Sequence, residues 1–266
     1  MSGTASRQGL GRVQSVWRCW RALLHVLHGL WVIHRQFDSL SWAQRQHHIQ
    51  RWSVGLLAIF AVELEVRDAG LAPEHGLVVA NHLSWLDIVV INAALPVQFV
   101  SKSDVKHWPV LGSLITGAGT LLIERASRKD AMRVVHHMAD FLRQGHRVAI
   151  FPEGTTHDGS ALLPFHANLV QAAISANSEI TPLGLSYWGE NDANKTRAPL
   201  FIGDMTLVGS IWRTLRQGPV RARVHWGAPQ LAQGRNRREW SVDLAEVVAV
   251  LSVTPHGAAS PIAQQT

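Results

Sequence analysis

Between residues 60 and 226, short apolar runs alternate with stretches of helical periodicity, and no other feature restricts the fold of this chain as strongly. Runs of this length bounded by turn residues read as strands, and the longer three- and four-residue periodic stretches read as helices. Strands are expected near 60–67, 76–80, 97–101, 119–124, 147–151, 180–187 and 220–226. Helices are expected near 85–95, 109–117, 128–144, 166–177 and 239–251. The alternation predicts an α/β domain over 60–252, built as a mixed, largely parallel sheet covered by helices.

An N-terminal helical hairpin over 1–59 is expected to precede it. From Gly9 to Phe37, residues Val13, Val16, Trp17, Trp20, Leu23, Leu24, Leu27, Leu30 and Trp31 recur at helical steps, with Arg12, Arg18, Arg21 and Arg35 between them. A second helix is expected from Ser39 to Ala58, capped by Ser39 or Ser41, with Leu56, Leu57 and Ile59 leading into a strand. Residues 253–266, with Pro255, Gly257, Ser260 and Pro261, read as a disordered tail.

Charge narrows the partners. The net charge is +6, and residues 1–62 carry seven arginines against one acid, Asp38. Seven more arginines lie between Arg213 and Arg238, with no acid among them. Two basic regions imply an anionic partner: a phosphorylated ligand, an anionic membrane or nucleic acid. Nucleic acid is disfavoured, since no binding module is recognisable and the N-terminal arginines are interleaved with Trp and Leu. That interleaving suits an amphipathic helix lying in the lipid headgroup region, and packing onto its own domain is the alternative. The apolar run 22–33 is interrupted by His25 and His28 and is shorter than the roughly 20 residues a bilayer requires. It also lacks the small-residue cleavage site of a signal peptide. The single cysteine, Cys19, cannot form an intramolecular disulfide, which favours a cytosol-facing location, and it reads as a helix packing residue.

Two segments carry candidate chemistry. Val78, Val79 and Ala80 form a buried strand that stops at Asn81 and His82, after which a helix is expected from near Ser84 with Asp87 one turn in. There the carboxylate can hold one imidazole nitrogen while the other accepts a hydroxyl proton. A His followed five positions later by an Asp has little weight alone in a chain with 15 histidines. The second segment, Arg147–Thr156, is again an apolar strand ending in a turn, shaped by Pro152 and Gly154, with Glu153, Thr155 and Thr156 expected on one rim. The adjacent pairs His47/His48 and His136/His137 diverge on a helix, so no metal site is assigned.

Together these segments resemble the lysophospholipid and glycerol-phosphate acyltransferase family. Its first motif, Asn-His, four residues and Asp, is matched by Asn81, His82 and Asp87. Its second is matched by Gly119, Leu122, Ile123, Glu124 and Arg125, and its third, Phe-Pro-Glu-Gly-Thr, by Phe151 to Thr155. Pro182, near the start of a later strand, is similar to a weaker fourth element; upstream, Lys102 and the Trp108, Pro109, Gly112 cluster are also similar to the family, so that the likeness covers roughly 60–230. Two positions depart from the pattern, His157 and Asn168, where the family often has arginine or serine and glycine. The departures bear on substrate rather than reaction.

The resemblance implies that His82 is the general base, Asp87 its partner, and that no acyl-enzyme forms. Arg125 would clamp an acceptor phosphate, its alternative being a salt bridge with Glu124 or Asp130, and Glu153 would hold acceptor hydroxyls. Asn81, Gly154 and Thr155 complete the implied substrate site, with oxyanion donors sought among the amides near Gly154 or at the helix after His82. It further implies a lysolipid acceptor, most simply 1-acyl-sn-glycerol-3-phosphate giving phosphatidic acid, or another such as a lyso-ornithine lipid. Acyl-CoA or acyl-carrier protein is the implied co-substrate, with no cofactor, at the cytoplasmic face of the cell's inner membrane. A thioester hydrolase and a non-catalytic lipid-binding protein are the readings from other classes.

Overall fold

The computed structural model describes residues 11–108, 110–123, 128–189 and 194–254. It opens with two helices, α1 (Arg12–Gln36) and α2 (Trp42–Phe60). Ser41, not Ser39, caps α2: its hydroxyl accepts the Gln44 amide while the Gln44 side chain accepts the Ser41 amide. Ala61 turns left-handed (φ 52°) and ends the helix at Phe60. Leu56, Leu57, Ile59 and Phe60 are thus a buried last helical turn, which leads through Ala61 into the strand that begins at Val62.

Glycines let α1 and α2 approach closely. A Cβ on Gly29 would lie 2.5 Å from Trp52 Nε1, and one on Gly55 would lie 2.7 Å from His25 Cε1. The His25 and Trp52 rings stack 5.2 Å apart, and each ring nitrogen bonds the other residue's carbonyl. Cys19, in contrast to its expected packing role, is exposed on α1.

Strands β1 (Val62–Arg67), β2 (Gly76–Ala80), β3 (Gln98–Lys102), β4 (Leu121–Ile123), β5 (Arg147–Ile150), β6 (Ile180–Gly189) and β7 (Val220–Trp226) form one sheet in the order β1-β7-β6-β2-β5-β3-β4. Every neighbouring pair is parallel except β6 with β7. The mixed, largely parallel α/β architecture expected from the alternation is the one observed. The remaining helices are α3 (Leu86–Ala94), α4 (Leu111–Gly117), α5 (Arg128–Arg143), α6 (Gln171–Ala176), α7 (Leu207–Arg216) and α8 (Arg237–Val253).

Three details differ from expectation. α6 is shorter, because the chain before it is held to the β5 turn by the His166 amide on the Pro152 carbonyl. α7 has no counterpart among the expected helices: Thr206 caps it by accepting the Gly209 amide, and a glycine in the first turn dilutes the helical signal. α8 includes Val253, where the tail was expected to begin; residues 255–266 lie outside the described residues.

Side chains alternate across the sheet. Val78, Ala80, Leu183, Leu185 and Tyr187 pack on one face with α2, α3 and Leu215 of α7, whereas Leu77, Val79, Val148, Ile150 and Ile180 pack on the other with α5, α6 and α8.

At the β1 edge, the fully buried Arg223 places Nη2 2.9 Å from Glu65 Oε2, and Arg67 Nε is 2.8 Å from Oε1. Burial, the largest single influence on Glu65, pushes its carboxyl up; hydrogen bonds and charge from Arg223 and Arg67 outweigh it and bring the group down from 4.5 to about 2. A depressed carboxyl adds stability above its ordinary range, and that stability is lost as pH falls from 4.5 toward about 2. The gap in Tm between wild type and Glu65→Gln is therefore expected to narrow as melts are run from about pH 5 down to about pH 2.5. A constant gap would show that the ion pair is not the source.

Candidate active site

β2 and β5 are neighbours, with Val79 opposite Ile150, so the segments that leave them emerge side by side. Their onward helices then part, α3 to one face of the sheet and α6 to the other. The crevice beyond the carboxyl ends of such diverging strands is where open α/β sheets hold ligands.

Asn81 extends the β2–β6 ladder past its last backbone pair, Ala80 with Leu183. Its side chain donates to the Leu185 carbonyl at 3.0 Å and accepts the Leu185 amide at 2.7 Å, fully inside the protein. Asn81 is therefore a clamp between strands, not the substrate contact implied by resemblance.

The clamp lets the backbone turn at His82. Its Nδ1 lies 2.8 Å from Asp87 Oδ2, and its ring stacks on Phe151 with 4.0 Å between centroids and 8° between planes. Phe151 in turn stacks on Phe99. With Nδ1 facing a carboxylate, the neutral ring carries its proton there and leaves the Nε2 lone pair free. No protein atom bonds Nε2 among the described residues, and the side chain is 19% exposed. α3 starts at Leu86, close to the expected onset, which puts Asp87 in the first helical turn, where the helix dipole favours an anion. Asp87 is buried; Oδ2 also accepts the Leu83 amide at 2.6 Å and the Ser84 amide at 2.8 Å, and Oδ1 accepts the Tyr187 hydroxyl at 2.6 Å.

Glu153 is not on the rim. Its side chain is fully buried, Oε1 accepts the His82 amide at 2.8 Å, and Oε2 accepts the Leu163 amide at 2.8 Å. The carboxylate braces the backbone under the imidazole, each oxygen accepting a backbone amide inside the protein rather than facing the crevice. His157 is buried beside it: its amide bonds the His82 carbonyl at 3.1 Å and its Nδ1 accepts the Gly159 amide at 3.0 Å. The remaining proton is then on Nε2, which sits 3.1 Å from Glu153 Oε2 but off the line of a hydrogen bond. The departure from the family pattern at this position therefore faces inward.

Of the other expected rim residues, Thr155 is exposed, whereas the Thr156 hydroxyl is spent on the Phe201 carbonyl. The Phe201 amide bonds the Leu83 carbonyl at 3.0 Å and the Ser84 hydroxyl donates to the Pro199 carbonyl, so one stretch of chain straps both turns. The amides sought as oxyanion donors are already engaged, Gly154 with the Phe151 carbonyl and Leu83 and Ser84 with Asp87. The Thr155 amide, carried past the left-handed Gly154 (φ 71°), has no partner among the described residues. Glu124 and Arg125 lie outside the described residues, following β4 in the chain. Among the described residues, no group of three or more His, Cys, Asp or Glu is placed to hold a metal ion.

The sheet and this pair define the class: an α/β protein with a carboxylate-held imidazole at the carboxyl ends of adjacent parallel strands, its other ring nitrogen without a hydrogen-bond partner among the described residues. The family model described as Acyltransferase matches residues 63–186. A lyso-ornithine lipid O-acyltransferase of Pseudomonas aeruginosa is 36% identical over 195 residues, covering 73% of this chain and 74% of that one. A 1-acyl-sn-glycerol-3-phosphate acyltransferase of Neisseria meningitidis serogroup B is 39% identical over 171 residues, which span 64% of this chain and 66% of the relative's length. The crystal structure of the 1-acyl-sn-glycerophosphate acyltransferase PlsC from Thermotoga maritima has the same fold, with a TM-score of 0.67 at 19% identity, covering 89% of this chain and 92% of that one. The chain belongs to the acyltransferase family.

Proposed function

We propose that this protein moves a fatty acyl group from the thioester of acyl-CoA or acyl-carrier protein to the free hydroxyl of a lysolipid, most simply 1-acyl-sn-glycerol-3-phosphate. The observation that carries the reading is the 2.8 Å bond from His82 Nδ1 to Asp87 Oδ2, which leaves Nε2 as a free base. Nε2 takes the hydroxyl proton as the oxygen attacks the thioester carbonyl. The charge that develops on the carbonyl oxygen needs a donor already in place, and the free Thr155 amide is the one we assign. Collapse breaks the C–S bond, and the imidazolium returns its proton to the departing thiolate. Arg125, two residues beyond β4, is assigned to the acceptor phosphate, for which its planar fork is suited.

A second acceptor has specific support. The Pseudomonas aeruginosa relative, matched over 73% of this chain, is named for a lyso-ornithine lipid, which carries no phosphate. The buried His157 also adds no cation to the motif's outer face.

Membrane attachment is assigned to α1. Its outward stripe is Val13, Trp17, Trp20, Leu24, Leu27 and Trp31, each between 46% and 83% exposed, while its inward stripe includes Ser15, Ala22 and Gly29. A helix that turns its tryptophans out and its small residues in fits a lipid interface better than water. No helix among the described residues is long and apolar enough to cross a membrane.

One assay tests these assignments. Purified protein is mixed with vesicles containing anionic lipid, acyl-CoA or acyl-carrier protein, and either lysophosphatidic acid or lyso-ornithine lipid. Thiol release is expected only with a lysolipid acceptor, and protein is expected to co-sediment with the vesicles less at high salt. Equal thiol release without acceptor would make the protein a hydrolase, and salt-independent absence from the pellet would return α1 to internal packing.

A further inference from the structure

We infer that Tyr187 is a positioning residue of the catalytic pair, its hydroxyl holding the second oxygen of Asp87 so that the first stays on the His82 ring. This inference rests on the acyltransferase reading above for its effect on rate, though not for its structural part. Asp87 is wholly buried, and its two oxygens are unequally supplied. Among the described residues, Oδ2 receives three donors, His82 Nδ1 and the amides of Leu83 and Ser84, whereas Oδ1 receives the Tyr187 hydroxyl alone. Without that hydroxyl, Oδ1 would be a bare anionic oxygen facing the apolar side chains between α3 and the sheet, the situation that buried polar groups avoid.

The fold sets this contact deliberately far from where it acts. Tyr187 lies on β6, 100 residues along the chain from Asp87 on α3. Asn81 fixes the spacing, because its side chain grips both backbone groups of Leu185, the residue two before Tyr187 on the same face of the strand. The motif asparagine thus locks β6 to the turn that carries His82, and Tyr187 meets Asp87 as a consequence. The phenol also stays a donor throughout: burial first, then the Asp87 charge and the hydrogen bond to it, push its ionisation well above the ordinary value. When His82 becomes imidazolium, the Tyr187 proton has no reason to leave, so the carboxylate cannot rotate to trade oxygens.

Two measurements test the role. Tyr187→Phe keeps the ring and removes the hydroxyl; kcat is expected to fall about 10-fold with KM for both substrates within about 2-fold, since one charge-assisted bond is lost and no substrate contact is. In an Asp87→Asn background the same change is expected to cost less than about 2-fold, because the group it acts through is gone. Additive losses would reduce Tyr187 to a packing residue. The second measurement needs no change at this position. Tyr187 is the chain's one tyrosine, so growth on 3-fluorotyrosine gives the full protein a single fluorine beside this hydroxyl. Its resonance is expected to move on His82→Gln, a residue Tyr187 does not touch, as well as on Asp87→Asn. A resonance indifferent to His82→Gln would overturn the inference even if the protein proves an active transferase, whereas a responsive resonance in a protein without transferase activity would sink only the acyltransferase reading.

Discussion

Replacing His82 by alanine is expected to reduce acyl transfer by about 10²- to 10⁴-fold, the range a positioned general base contributes, while thermal unfolding stays close to wild type. The two halves of this expectation come from different contacts. The loss of rate follows because Nε2 is the group left free to take a proton. The retained fold follows because Asp87, on losing the imidazole, keeps the Leu83 and Ser84 amides and the Tyr187 hydroxyl. The turn itself is held by backbone: the His82 amide on Glu153 and its carbonyl under the His157 amide, neither of which depends on the side chain. The vacated space lies against the flat face of Phe151, so added imidazole is expected to restore part of the rate in the alanine variant. Unfolding of His82→Ala, or a rate within about 10-fold of wild type, would remove His82 from the role of base.

How much of this was legible depended on whether the signal was local. An apolar run followed by Asn-His, or by Phe-Pro-Glu-Gly, is a few residues long, so both strand exits could be placed from the residues themselves. That they emerge side by side depends on β2 lying next to β5, and nothing in Val78–Ala80 says which of six other strands is its neighbour. The direction of a side chain at a turn is equally silent. Glu153 after an apolar strand reads the same whether its carboxylate faces solvent or, as here, a pair of backbone amides. Asn81 was misplaced for the same reason, since its partner Leu185 is 104 residues away. α1 was read correctly as an amphipathic helix because periodicity survives without knowing the partner. Which stripe faces outward required the structure, and the answer inverts the usual arrangement of a helix on a soluble domain.

The same inward turn of Glu153 yields the second large effect, and it separates the two roles that residue can have. Glu153→Gln keeps the size of the side chain but replaces one acceptor oxygen with an NH₂ group. Both oxygens now accept from backbone amides, His82 at one and Leu163 at the other, so whichever way the glutamine amide is turned, one N–H faces another N–H. His157 Nε2, the other group close to Oε2, is also a donor once Nδ1 has accepted the Gly159 amide, and gives no relief. A buried donor left facing a donor, together with the loss of a charged acceptor, is expected to cost about 3 kcal/mol, or about 6–12 °C in Tm for a domain of this size. Catalysis is expected to fall with it, through kcat, because the His82 backbone is no longer pinned above the brace. A surface carboxylate that bound acceptor hydroxyls would behave in the opposite way: Glu153→Gln would leave Tm where it was and raise KM for the lysolipid. Thermal melts and the KM measured on the same preparation therefore decide between them, and an unchanged Tm would show that the carboxylate works at the rim after all.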